Sequence, residues 1–197
     1  LPSAGFGHQR VRPIDYAMTQ PGVILHYLRL VVWPHPLVLD YDWPKAASIA
    51  AVLPAAACLL ALLGLIVWAL IRKPGLGFLG AWIVLILAPS SSIIPLADFA
   101  FEHRMYLPLA GALTLMTLAA AKWLPPRIAG PGLAAAVIGL GILTAQRSAQ
   151  YRSELSLWTK TVAQRPDNPR AHVSLGNALA LHRRYDEAVL HYARALE

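Results

Sequence analysis

The chain has 197 residues, 57% of them hydrophobic and 14% charged, with a formal net charge of +7. That balance excludes an ordinary soluble domain, and the scattered basic residues, many of them flanking apolar runs, fit membrane topology better than nucleic-acid binding. The single cysteine, Cys58, excludes a disulfide within the sequence and a cysteine metal cluster; in its hydrophobic run it reads as packing filler.

Residues 1–45 hold Pro13, Pro21, Pro34, Pro36 and Pro44. They read as an irregular exterior loop around one short helix, with Thr19 able to cap it and Pro21 suited to its first turn. The apolar stretch 23–33 carries Arg29 and is too short to span, so it is expected to lie along the interface or to re-enter the membrane.

Residues 46–146 read as the transmembrane domain. Between Ala46 and Ala121 the charged side chains are Arg72, Lys73, Asp98, Glu102 and Arg104. Four spans are expected: 46–71, closed by Arg72-Lys73-Pro74-Gly75; 76–88 or slightly beyond; 106–121; and 128–145. Tyr106 and Trp123 are the aromatic types found at the headgroup level. Arg72 and Lys73 occupy one short loop, and Lys122 and Arg127 the next but one, while the loop between holds Asp98 and Glu102 with Arg104. The positive-inside rule places the two basic loops in the cytoplasm; the 89–104 loop, residues 1–45 and the C-terminal part share the opposite face.

Residues 147–197 carry a repeat. Tyr151 and Tyr185, Trp158 and Tyr192, Thr161 and Ala195, and Val162 and Leu196 each stand 34 residues apart. That period, with aromatic and small residues at matched places, is the signature of the tetratricopeptide repeat, a helix–turn–helix unit that binds peptides or partner proteins. The expected helices are 148–164, 169–182 and 185–197. Leu175 and Gly176 stand where close helix packing needs a small residue, and Tyr185, Ala188, Tyr192 and Ala195 complete the packing set. His172 replaces a usual Trp and Arg183 a usual Gly. His172, His182 and His191 read as surface or groove residues of the repeat helices. One and a half repeats cannot close a solenoid core, so further repeats are expected beyond Glu197.

Two segments put ionisable and aromatic groups at the headgroup level. In Phe101-Glu102-His103-Arg104-Met105-Tyr106-Leu107-Pro108, Arg104 offers a fork for phosphate oxygens, His103 a further donor, and Glu102 an orienting carboxylate. The alternative is an interfacial Glu102–Arg104 pair that anchors the third span. In Asp40-Tyr41-Asp42 the two carboxylates suit Mg²⁺, Mn²⁺ or Ca²⁺, or an acid/base role, but no third ligand stands nearby and solvated loop acids remain the alternative.

Tyr27-Leu28-Arg29-Leu30, Trp33-Pro34-His35-Pro36-Leu37 and Asp40-Tyr41 precede the 101–108 motif and the Leu175-Gly176 repeat start. In order and spacing they resemble the transmembrane and tetratricopeptide repeat-containing O-mannosyltransferase family and its bacterial homologues. The resemblance covers the C-terminal part of that family's membrane domain and its first repeats. It implies an all-α polytopic glycosyltransferase of the GT-C type. Such an enzyme moves a sugar, mannose in the named family, from a polyprenyl-phosphate carrier to a protein Ser or Thr, with the repeats presenting the acceptor protein. It also implies a bacterial inner-membrane location with periplasmic repeats, and Arg104, His103 and Glu102 as donor-side residues. The catalytic acid of such enzymes lies in an earlier exterior loop, upstream of Leu1, so no catalytic residue is assigned. Asp40 and Asp42 remain open as a metal or acceptor-side pair, no cofactor is fixed, and a divalent metal stays open. The competing class is a non-catalytic membrane anchor whose repeats scaffold an envelope assembly.

Overall fold

The computed structural model describes residues 12–91 and 98–197. All regular structure among them is helical. The chain divides into two compact units: one holds the chain up to Leu37 together with Trp43–Leu124, the other Val38–Asp42 and Pro125–Glu197.

The first unit opens with α1, Pro13–Val32. The expected short helix therefore begins well before Thr19, at Pro13. Pro13 supplies the fixed φ suited to a first helical position, and Asp15 places a carboxylate at the positive helix end while pairing with Arg12 at 2.8 Å. Thr19 is not its cap. The Thr19 hydroxyl donates to the Asp15 carbonyl at 2.7 Å and accepts from the Ala46 N–H at 3.1 Å. Pro21 lies inside the helix, where it removes one backbone donor. At 20 residues α1 is not short, but it is not among the helices apolar enough to cross a membrane. Tyr16, Gln20, Val23, Tyr27 and Leu30 form its buried stripe at steps of three and four residues.

Helix α2, Ile49–Arg72, starts at a Ser48 hydroxyl that accepts from the Ala51 N–H at 3.3 Å. It buries no residue, and Cys58 is exposed rather than packed, as expected of a helix long and apolar enough to cross a membrane. A one-residue break at Lys73 leads to α3, Pro74–Leu87. There the backbones close in until a Cβ on Gly77 would stand 2.3 Å from the Leu70 nitrogen. A Cβ on Gly80 would meet Ile66 at 2.8 Å, and one on Gly111 would meet Trp82 at 3.1 Å. Gly111 belongs to α4, Tyr106–Trp123, which follows a single 3₁₀ turn over Glu102–Met105. The Trp82 indole N–H donates to the Leu107 carbonyl at 3.3 Å. Tyr106 and Trp123, the expected interface aromatics, are both exposed.

The second unit begins with α5, Pro126–Gln150. Among the described residues, three stretches are long and apolar enough to cross a membrane: Ile49–Arg72, Glu102–Trp123 and Pro126–Gln150. Helix α3, where the second span was expected, has 14 residues and is about 21 Å long, against a hydrocarbon thickness of about 30 Å. The expected helix 148–164 is two pieces. Residues through Gln150 finish α5, Tyr151 and Arg152 turn, and Ser153 caps α6, Glu154–Gln164, by accepting from the Ser156 N–H at 3.4 Å. A capping hydroxyl followed by an acidic first turn starts a helix where the sequence period alone would have continued one.

Helix α7, Pro169–Leu181, is capped by Asn168, whose side-chain oxygen accepts from the Ala171 N–H at 3.1 Å. Arg183 sits at φ 61° between α7 and α8, Tyr185–Arg194, the left-handed conformation for which glycine is favoured. Leu175, Leu179 and Ala188 form the core of this helical group, with Leu155, Trp158, Val162, Ala180 and Tyr192 packed around it. Gly176 is required there: a Cβ would stand 2.5 Å from the Tyr192 ring. Tyr185, expected in the packing set, is exposed at the first position of α8, and Ala195 follows its end, partly buried.

Candidate functional site

In the first unit, the buried stripe of α1 meets the loop before α4. Arg104 is partly buried, and both its terminal nitrogens are committed to oxygen acceptors. Nη1 lies 3.1 Å from the Tyr16 hydroxyl, 3.2 Å from the Ser90 carbonyl and 3.1 Å from the Phe99 carbonyl, and Nη2 donates to the Asp98 carbonyl at 2.8 Å. The Tyr16 hydroxyl donates in turn to the Ser90 carbonyl, and its ring stacks on Phe99 at 5.6 Å. One helical stretch further along α1, the Tyr27 hydroxyl accepts the Phe101 N–H at 2.7 Å. The segment that carries Tyr27-Leu28-Arg29-Leu30 and the 101–108 segment are therefore hydrogen-bonded to each other.

Burial raises the pKa of Tyr16, with the Arg104 charge opposing it. Burial also raises that of Tyr27, against the Phe101 N–H and Arg104. Both phenols stay protonated at neutral pH, which Tyr16 needs in order to donate to Ser90. Gln20 is buried beside them; its amide nitrogen reaches the Phe99 carbonyl at 3.5 Å, and its side-chain oxygen and the Ser91 hydroxyl are buried without a hydrogen-bond partner. Charge-assisted bonds of this kind hold an irregular loop at fixed geometry.

Of the three donor-side residues read from the sequence, Arg104 enters this centre and His103 does not. His103 is exposed, with its ring tilted against Phe101 and the centroids 4.9 Å apart, while the Arg104 guanidinium lies 5.7 Å from the centre of the same ring. Phe101 thus contacts both the imidazole and the guanidinium. Glu102 starts the 3₁₀ turn and is half-buried.

Asp40 and Asp42 belong to the second unit. The Asp40 carboxylate accepts from Arg170 at 2.8 Å, with Asp42 at 3.9 Å from the same nitrogen, and it also accepts the Asp42 N–H at 3.0 Å. No group of three or more potential metal-ligating side chains occurs among the described residues.

Helices α7 and α8 hold a pair, His172 and His191, read from the sequence only as surface or groove residues. His172 is buried, and its Nδ1 lies 2.9 Å from Nδ1 of His191, while its Nε2 lies 2.8 Å from the Pro166 carbonyl. The carbonyl can only accept, so the neutral pair has the proton of His172 on Nε2 and that of His191 on Nδ1. Burial first, then the charge of His172, lowers the pKa of His191, against an opposing pull from Glu187.

Tyr16, Gln20 and Tyr27 as partners of the 98–104 loop were missed in the sequence. Their spacing was the available signal, since residues 16, 20 and 27 share one helix face once the helix begins at Pro13. No protein-family model, curated protein or solved structure matches this chain.

Proposed function

We propose that this chain is part of a membrane glycosyltransferase that moves a sugar, mannose by the family resemblance, from a polyprenyl-phosphate carrier to Ser or Thr hydroxyls of proteins. In this reading α3 is a fourth crossing. The 98–104 loop and helices α6–α8 then share the exterior face, which is the periplasm of a bacterial inner membrane, and α6–α8 are tetratricopeptide helices that present the acceptor.

The observation that carries the reading is the Tyr27–Phe101 hydrogen bond, together with the Tyr16–Arg104 contact beside it. Tyr27 of the first resembling segment and Phe101 and Arg104 of the second thus lie in one hydrogen-bonded polar centre beside α4. Transfer breaks the bond from the anomeric carbon to the carrier phosphate and forms one to the acceptor oxygen, so negative charge grows on the leaving phosphate. Arg104, held at fixed geometry by neutral oxygens, supplies positive potential there, and the exposed His103 imidazole supplies a hydrogen-bond donor. Glu102 is assigned the orienting role. The acceptor-side general base is left unassigned.

One observation favours the second reading, a membrane-anchored scaffold: both terminal nitrogens of Arg104 already engage acceptors within the protein, as a purely structural staple requires. The two readings separate at His103, which the staple does not use. Membranes carrying the intact gene product are given a labelled polyprenyl-phosphate sugar and a Ser/Thr peptide. With equal amounts of inserted protein, His103→Ala lowers transfer by about 100-fold. Undiminished transfer removes the donor-side assignment, and no transfer by the unaltered protein leaves the scaffold. A tag after Glu197 is cleaved by protease added outside intact cells; protection of that tag overturns the shared exterior face.

A further inference from the structure

Within the second unit, residues 38–42 lie against the corner where α6 ends and α7 begins. The Asn168 amide donates to the Asp40 carbonyl at 3.3 Å, a main-chain contact available to any residue at that position. The Asp40 carboxylate takes Arg170 at 2.8 Å, with Asp42 as the outer member of the same cluster. Tyr41 is fully buried, with the Arg165 guanidinium 5.8 Å from its ring centre, and Val38 is as deeply buried as Tyr41. One main-chain hydrogen bond, one carboxylate on an arginine, one aromatic ring under a guanidinium and one aliphatic anchor make up a set by which helical surfaces recognise short peptides.

Asn168 serves two ends at once, since its side-chain oxygen caps α7 while its nitrogen reads the strap. The fit is incomplete. Nε of Arg165 is buried without an acceptor, so the corner can offer a ligand one more hydrogen bond than residues 38–42 use.

We infer that the α6–α7 corner is a recognition site for an extended acidic–aromatic peptide, filled in this chain by its own residues 38–42. The inference names a ligand class for the repeat helices and holds whether or not the protein transfers sugar. The strap is tethered on both sides, so a peptide in trans competes against a high effective concentration.

The full chain in nanodiscs tests this with a fluorescein-labelled peptide of the sequence of residues 37–43. A variant combining Asp40→Ala, Tyr41→Ala and Asp42→Ala empties the corner, and the peptide then binds saturably, about tenfold more tightly than to the unaltered chain. Adding Arg170→Glu weakens that binding by about tenfold, and the same peptide with Lys in place of both Asp residues does not bind. Absence of saturable binding to a triple variant that keeps its helical circular dichroism overturns the inference, as does binding indifferent to Arg170→Glu. If the triple variant loses helicity, a chain with Val38→Cys and Cys58→Ser decides the matter. Its thiol is shielded by the docked strap, and saturating peptide raises the alkylation rate by about tenfold through displacement. An alkylation rate unmoved by the peptide overturns the inference.

Discussion

Arg104 and Arg170 each hold an irregular segment in place, and they do so by different chemistry. Arg104, partly buried in the first unit, is oriented by three backbone carbonyls and a phenol, all neutral. Arg170, largely exposed in the second unit, faces two carboxylates. Neutral acceptors orient a guanidinium without cancelling its charge, whereas a carboxylate orients and neutralises it together. The first arrangement suits a fixed cationic centre. The second suits a contact that can be exchanged for another acidic ligand.

The largest test of this contrast is Arg104→Ala. It strips donors from four part-buried oxygens at once, and the first unit loses about 3 kcal/mol, read as a lowered unfolding midpoint in detergent. Arg104→Lys recovers only part of it, because one ammonium cannot span the same fork. A loss no greater than that of Arg170→Ala would erase the distinction. Next comes Gly176→Ala, which presses a methyl into the Tyr192 ring and strains its hydroxyl bond to Asn177, 2.8 Å long. It costs the second unit about 1–3 kcal/mol by thermal melting. If it is silent, the close approach of α7 and α8 is not tight.

Arg170→Ala is smaller, about 0.2–1 kcal/mol, and its effect shrinks with added salt, since the pair is solvent-screened. The smallest effect is one of pH. The folded pKa of His191 is lowered by burial and by His172, so the unfolded chain binds more protons below the ordinary histidine value of about 6.5. This contribution is fully present above that value and is lost as the pH falls toward the folded pKa. The thermal midpoint of the second unit drops between about pH 7 and about pH 5, and His191→Gln flattens the slope. A midpoint that rises on acidification contradicts the neutral His172–His191 pair.

Helices α2, α4 and α5 were legible in the sequence because each is a long apolar run between charged or proline-marked ends. Helix α1 was misjudged because Pro21 looked like a first-turn proline, while Pro13 and Asp15 give the earlier start. The break after Gln150 was hidden by the 34-residue period, which matches side chains without locating the Ser153 cap. The loop residues Arg104 and Asp40 drew notice through their chemistry, yet their partners did not. Arg104 finds Tyr16 across 88 residues and Asp40 finds Arg170 across 130, and no local spacing rule encodes pairings that distant. The His172–His191 pair depends likewise on how α7 and α8 cross.

The trio α2, α3 and α4 is held close at Gly77, Gly80 and Gly111, three positions whose contribution is the lack of a side chain. In lipid, where apolar surface gains nothing by hiding, such backbone proximity is a main source of cohesion. No ionisable group takes part in it, so the bundle should be deaf to acidity and ionic strength. A change of acidity or salt then acts on α7 and α8, where Arg170 and His191 lie, while the close contacts of α2, α3 and α4 keep their shape.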